Sequence, residues 1–372
     1  MKISPRRLLP LLLSVLLAAC AGAPHTRQAP ATAAPSPGAP APATSASTPA
    51  AAAVPATSPS GQSAAAPDVW QQLRDGFRMD GCDSDPDVLA WARRYTRSPA
   101  HFEAKMKQVL PRLVYVQQAA ERYGVAGEFA LLPWVESHFA PVPGHGRAPA
   151  GMWQIVPITA RSLHLPRKPG YDARLDLPLA TDAVMGLLGR YHERFGDWRL
   201  VDYAYNRGEF TVRRLIRHHG LPPPQPTIPQ LPIRKATREH LTKLLAIACV
   251  VREPERFHVS LPTLPSDRRL VVIRVDRHLS MDTVARDTGM SVHRVRQLNA
   301  AFTKVADMPS PHLLLPRDCA ERFLGKHPQP ADENPGKVAG VGKPRSMTLP
   351  VPAANGRPLD TEPAVPGVAD EP

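Results

Sequence analysis

The sequence predicts a mainly α protein that closes with a small βααβ module and carries long unpacked segments at both ends. Three observations lead there. Between Asp68 and about residue 220, apolar residues recur at three- and four-residue intervals, the period of helices with one buried face, while strict alternation is scarce. Between Leu270 and Pro316, the strand-like runs "LVVIRV" and "HLLLP" bracket two short amphipathic segments. The 45 prolines of the 372-residue chain gather elsewhere, at the two ends and in "LPPPQPTIPQLP" at 221–232, which leaves roughly the middle two-thirds to build cores.

At the N-terminus Lys2, Arg6 and Arg7 precede an apolar run from Leu8 to Leu17, too short to cross a bilayer and laid out as an export signal. The run closes on "LAAC", which resembles the lipobox of bacterial lipoproteins; residues 1–20 are then a lipoprotein signal peptide and Cys20 the lipidation site, a membrane anchor. Ala21 stands where an aspartate would mark retention at the inner membrane, so this resemblance implies an outer-membrane lipoprotein facing the periplasm. Residues 21–67 are almost entirely Ala, Pro, Ser, Thr and Gly and cannot bury a core. Such a segment reaches on the order of 40 Å as a coil and roughly 145 Å as polyproline II, which makes it a tether. Residues 327–372, proline-rich and without an aromatic ring, are expected to be disordered.

Within the helical part, "DVWQQLRDGFRM", "DPDVLAWARRYTRSP" and "SPAHFEAKMKQVLPRLVYVQQAAERYG" open on capping residues, and Gly124 stops the last; they form a lead-in over 68–125. A helix is expected over Gly127–Ser137, where Pro133 should bend the chain or call for a tertiary contact. Others are expected near Thr159–Leu163, Pro178–Phe195, Arg199–Tyr205 and Gly208–His219. A proline-rich linker and a helical extension fill 221–262.

The formal charge of +13 fits a generally basic surface, or attraction to anionic wall or lipid surfaces; no basic recognition motif points to nucleic acid. Cys82, Cys249 and Cys319 remain beyond Cys20, and no two lie at metal-ligand spacing. No metal, no cofactor and at most one intrachain disulfide are therefore expected.

The stretch "LLPWVESHFAP" poses the chemical question, because helical winding puts Phe129, Leu132, Glu136 and Phe139 on nearly one face. Burial there disfavours the charged form of Glu136 and suits it to general acid work near neutral pH. A partnered structural carboxylate is the competing account.

After "VES" come "AGMWQI" and "AYNRG". In order and spacing, Glu136-Ser137 and these two runs resemble the signature motifs of lytic transglycosylases with the soluble-lytic-transglycosylase (SLT) domain, and "LLPWVES" and "YDARLD" are similar to the membrane-bound branch of that family. The resemblance is strong from about Asp68 to Arg217. It implies a lysozyme-like all-α catalytic domain over 126–220 that cleaves the β-1,4 bond between N-acetylmuramic acid and N-acetylglucosamine in peptidoglycan glycan strands, leaving 1,6-anhydromuramyl ends. Glu136 corresponds to the single catalytic acid and base. Ser137 and Gln154 match positions that contact the glycan or shape the cleft, and Tyr205 one whose hydroxyl orients the catalytic carboxyl. Met152 and Trp153 are candidates for the sugar groove, with core packing as the alternative; Asn206 suits a substrate contact or a structural bond before Gly208 equally. Between Glu136 and Asp172 the sequence has no Asp or Glu, although Asp172, Asp176, Asp182, Asp197, Asp202 or Glu209 could approach Glu136 through folding. Asp172 and Asp176, flanking Arg174, read as a loop brace, and His145 as an exposed loop residue. The segment 270–316 resembles a LysM carbohydrate-binding repeat, with departures at "VDRHLS" and "AAFTKVADMPSPH" that leave glycan binding open. A hydrolytic muramidase or chitinase-type glycosidase, and a non-catalytic wall-binding lipoprotein, are the alternatives.

Overall fold

The computed structural model describes residues 68–328; the expected signal peptide with Cys20, the expected tether at 21–67 and all but the first two residues of the expected tail at 327–372 lie outside them. Helix α1 (Val69–Asp75) begins where the Asp68 carboxylate accepts the Trp70 N–H, and it stops at Gly76. It ends short of the expected "FRM" because the chain turns there to meet Gly127, whose N–H donates to the Gly76 carbonyl at 2.7 Å. A Cβ on Gly127 would lie 2.8 Å from backbone atoms of Leu73 and Gly76, so only glycine allows this approach. Helix α2 (Pro86–Tyr95) is capped by Asp85, and α3 (Pro99–Tyr123) runs past Pro111 to Gly124, which takes the left-handed conformation at φ 64°.

The expected helix over Gly127–Ser137 forms as two pieces, a 3-10 turn at Gly127–Leu131 and helix α4 at Leu132–Ser137. Pro133 explains the division. Lacking an N–H, it sits in the first turn of α4, where no intrahelical partner is needed, and starts a helix instead of bending one. Glu128, fully buried in the 3-10 turn, accepts the N–H groups of Arg78 and Met79 at 2.8 Å each and so fastens the lead-in.

Helix α5 (Pro157–Ser162) precedes a two-residue antiparallel pair, β1 (Arg167–Lys168) and β2 (Tyr171–Asp172), which the sequence did not suggest. Then follow α6 (Leu177–Phe195), α7 (Trp198–Arg207) and α8 (Glu209–His219), the first two capped by Asp176 and Asp197. The segment expected as a linker is instead packed: Ile228, Leu231 and Ile233 are buried, and Arg199 donates to the carbonyls of Pro223, Pro224 and Pro226. Prolines have no N–H to satisfy, and one guanidinium collects the carbonyls they leave. Helix α9 (Lys235–Arg252) crosses the core, buried without a break from Leu244 to Val251. Cys249 on α9 forms a disulfide with Cys82, and Cys319 is free and buried.

The C-terminal module pairs β3 (Leu270–Arg274) antiparallel with β4 (His312–Pro316), Leu270 facing Pro316. Between them lie α10 (Met281–Thr288) and α11 (Val292–Leu298), opened by Ser280 and Ser291 as the sequence indicated. An additional helix, α12 (Arg317–Lys326), closes the module's core with Cys319, Ala320 and Phe323. The module is fastened to the helical part at several points. Asp172 N–H donates to the Ala301 carbonyl at 2.8 Å, Thr303 N–H to Gly170 at 3.0 Å, and Arg112 Nη2 to Gln297 at 3.0 Å.

Candidate active site

The "AGMWQI" run folds as a tight hairpin in which Ala150 and Ile155 bridge each other and residues 151–154 turn between them. Gly151 is essential to this turn. Its φ is +80°, and a Cβ would fall 1.8 Å from the Arg174 carbonyl oxygen. Gly151→Ala should therefore lower stability by about 3 kcal/mol or more and remove turnover, measured by thermal unfolding and product release. Arg174, 1% exposed, braces the hairpin from outside, donating to the Ala148 and Ile155 carbonyls while its other nitrogens pair with Asp172. Asp176 takes no part in this brace. It caps α6 and accepts the Tyr171 hydroxyl at 2.9 Å.

The hairpin's carbonyls are in turn held by the other two motifs. Ser137 Oγ donates to Met152 O at 2.8 Å, and Tyr205 Oη donates to Trp153 O at 2.5 Å. The Ser137 bond fits the cleft-shaping half of its expected role, and the Tyr205 hydroxyl donates to the hairpin where a bond to the Glu136 carboxyl was expected. Burial first and the Glu136 charge second hold the Tyr205 phenol well above the usual range. Trp153 is completely buried, its Nε1 donating to Thr181, and Met152 is 5% exposed, so both are core residues rather than groove walls. Gln154 is half-buried at φ +47°, a left-handed conformation uncommon for a side chain of its size, with Nε2 donating to Gly151 O. Asn206 is exposed, and its Oδ1 accepts the Thr237 hydroxyl at 2.8 Å, the structural of its two expected roles.

Glu136 stands at the end of α4 with its side chain 17% exposed, neither in bulk solvent nor enclosed by apolar atoms. Its partner is a histidine. His240 Nε2 on α9 lies 3.0 Å from Glu136 Oε1, and His240 Nδ1 lies 2.9 Å from Asp202 Oδ1 on α7. Asp202 is fully buried and its other oxygen has no protein partner. Burial works against a charged imidazole, but the Asp202 carboxylate and the hydrogen bonds to Asp202 and Glu136 outweigh it and raise His240 to about 10. The stability this gives is fully present below an ordinary histidine's pKa of about 6.5 and is lost as pH rises through about 10.

The other carboxylates that folding could have brought to Glu136 are engaged elsewhere: Asp172 with Arg174, Asp176 with Tyr171, Asp182 with Arg122, Asp197 with Arg199 and Glu209 with Arg194. A cavity of about 730 Å³ opens beside Ser137, walled by the rings of Trp91, Tyr95 and Trp134 and by Lys105 and Arg112. Glu136 is not among its lining residues, nor is any other carboxylate of the described residues, so the cavity adjoins Ser137 and not the Glu136 carboxyl. His145 is exposed, as expected for a loop.

This arrangement of helix-end glutamate, glycine hairpin and tyrosine helix falls within residues 114–225, which match the family model Transglycosylase SLT domain. That segment is similar to the Transglycosylase SLT domain. Residues 269–331 match a second model, Lytic transglycosylase MltD, LysM-like domain, in agreement with the βααβ module. Membrane-bound lytic murein transglycosylase D of Escherichia coli strain K12 is 29% identical over 234 residues, which is 63% of this chain and 52% of that protein. The chain thus spans about half the length of that relative. A tributyltin chloride resistance protein of Alteromonas sp. strain M-1 is 28% identical over 180 residues, 48% of this chain and 84% of that protein.

His240 lies between the two matched segments, and sequence reasoning missed both it and the role of Asp202. A signal was present. Thr237, His240, Leu241 and Leu244 follow helical spacing on the buried face of α9, and Asp202 interrupts the buried run Leu200–Ala204. Two polar groups on buried faces of different helices call for a partner.

Proposed function

We propose that this protein is a peptidoglycan lytic transglycosylase in which Glu136 cleaves the MurNAc-β-1,4-GlcNAc bond and closes a 1,6-anhydromuramyl ring. The observation that carries the reading is the setting of Glu136: a sheltered carboxyl with a buried imidazole behind it, Asp202 on the far side of that imidazole, and Asp172, Asp176, Asp182, Asp197 and Glu209 bound to other partners. Glycoside hydrolysis wants a second carboxylate, either to attack the sugar or to activate water. Here the muramyl 6-hydroxyl takes that part. Glu136 gives a proton to the leaving oxygen and, as a carboxylate, receives the proton of the 6-hydroxyl as O6 bonds to C1.

Supporting features extend to the substrate's size and charge. The cavity beside Ser137, which adjoins the motif without being lined by Glu136, offers aromatic faces suited to pyranose rings, and its cations suit a polymer that bears carboxylates. Export, lipidation at Cys20 and an outer-membrane anchor follow from the "LAAC" signal, and the E. coli relative is by name membrane-bound. In this reading the LysM-like module lies against the catalytic part as an accessory to glycan capture.

Digestion of purified peptidoglycan followed by mass spectrometry of the muropeptides tests the proposal. Products should end in 1,6-anhydromuramic acid, 18 Da lighter than reducing ends by the mass of one water. Reducing ends would identify a hydrolase, and an unchanged sacculus a binding protein.

A further inference from the structure

Resting on the function proposed above, we propose that Asp202 and His240 are positioning residues that store the proton which Glu136 delivers to the leaving oxygen and later recovers. The geometry forms an unbroken chain. Asp202 Oδ1 is 2.9 Å from His240 Nδ1, and His240 Nε2 is 3.0 Å from Glu136 Oε1. Asp202 is 0% and His240 7% exposed, while the Glu136 side chain is 17% exposed, so exposure rises toward the Glu136 end. Three separate helices supply its members, α7, α9 and α4, and Tyr205 on α7 fixes the hairpin beside it.

A carboxyl acting alone must hold its own proton between turnovers, and at neutral pH an ordinary glutamate holds one well under about 1% of the time. The chain offers another source. In the resting state both ring nitrogens of His240 carry protons, Nδ1–H donating to Asp202 and Nε2–H to Glu136, with both carboxylates ionised. During cleavage the Nε2 proton passes to Glu136, and a proton passes from Glu136 to the glycosidic oxygen. The C1–O bond breaks, and its electron pair leaves with that oxygen. His240 is then neutral, with Nδ1–H still on Asp202. When O6 bonds to C1, its proton passes to Glu136 and back to Nε2, so the cycle closes with no proton gained or lost. As sugar displaces water the ion pair loses solvation, which favours the hop from imidazolium to carboxylate.

The charged and titratable groups around the ring are accounted for. Asp202 from α7 and Glu136 from α4 are the charges that raise His240 against burial. The Tyr205 phenol, held well above its usual range by burial and then by Glu136, stays neutral. On α9, Arg238 is tied to the carbonyls of Leu231 and Ile233, Glu239 to Lys235, and Lys243 lies over the Trp91 ring.

The alkaline limb of the kcat profile tests this. Wild-type turnover should persist until the imidazolium is lost, near pH 10. Asp202→Asn, which keeps shape but removes charge, should move that limb down by roughly 3 units, toward an ordinary histidine. His240→Gln, which keeps a donor but holds no transferable proton, should move it further, into the carboxylic acid range. A merely structural pair would lower kcat equally at every pH, and three coincident limbs overturn the proposal. Should either variant fail to fold, ¹³C-histidine NMR of the wild type decides: His240 Cε1 should not titrate below about pH 9, and titration in the ordinary histidine range sinks the idea. Absence of anhydro products from the wild type would instead defeat the underlying function, leaving the NMR result to stand by itself.

Discussion

Glu136→Gln should abolish product formation while leaving the protein folded and able to sediment with sacculi. General acid and general base contributions are each about 10² to 10⁴ in rate, and here one side chain makes both. The expected loss is therefore at least about 10⁴-fold in kcat, below the detection limit of muropeptide analysis. The amide is nearly isosteric and keeps an oxygen toward His240 Nε2, so the hydrogen bond at 3.0 Å can persist. The melting temperature should stay within a few degrees of wild type. Residual activity within tenfold of wild type would mean that another group protonates the leaving oxygen.

Removal of the Cys82–Cys249 disulfide should produce the largest loss of stability short of disrupting the hairpin. The bond joins a short turn of the lead-in to the most buried part of α9, across a sequence separation of 167 residues. Chain-entropy estimates for loops of this order are about 4–5 kcal/mol, and measured values for native disulfides are about 2–5 kcal/mol. For a folded part of this size that corresponds to a fall of roughly 10 °C in melting temperature, read by calorimetry of Cys82→Ser against wild type or with and without reductant. Activity should fall with it, because His240 lies on the helix that the disulfide secures. An unchanged melting temperature on reduction would show that packing alone holds α9.

Much of the fold was legible from local chemistry. Asp85, Asp197, Ser280 and Ser291 start helices where capping residues precede apolar periodicity, and Gly124 and Gly289 stop them in the left-handed conformation. Glu136 was legible from its spacing and its neighbours in the motifs. What lay beyond reach depends on contacts between distant residues. His240 meets Glu136 across 104 positions, and no period within a single helix announces it. Ser137 and Tyr205 sit at the expected positions, but which acceptor their hydroxyls choose is decided by the hairpin's carbonyls, known only once that hairpin has folded. The proline run at 221–232 misled because composition suggested a linker, whereas Arg199, 12% exposed at its side chain, ties the exposed prolines to α7 and Ile228 and Leu231 enter the core behind them.

The seam between the C-terminal module and the hairpin has a mechanical meaning. Ala301 and Thr303 grip Asp172 and Gly170, Asp172 pairs with Arg174, and Arg174 holds the carbonyls on either side of the glycine turn. A displacement of the module would therefore be felt at the glycine turn through a short line of hydrogen bonds and one ion pair.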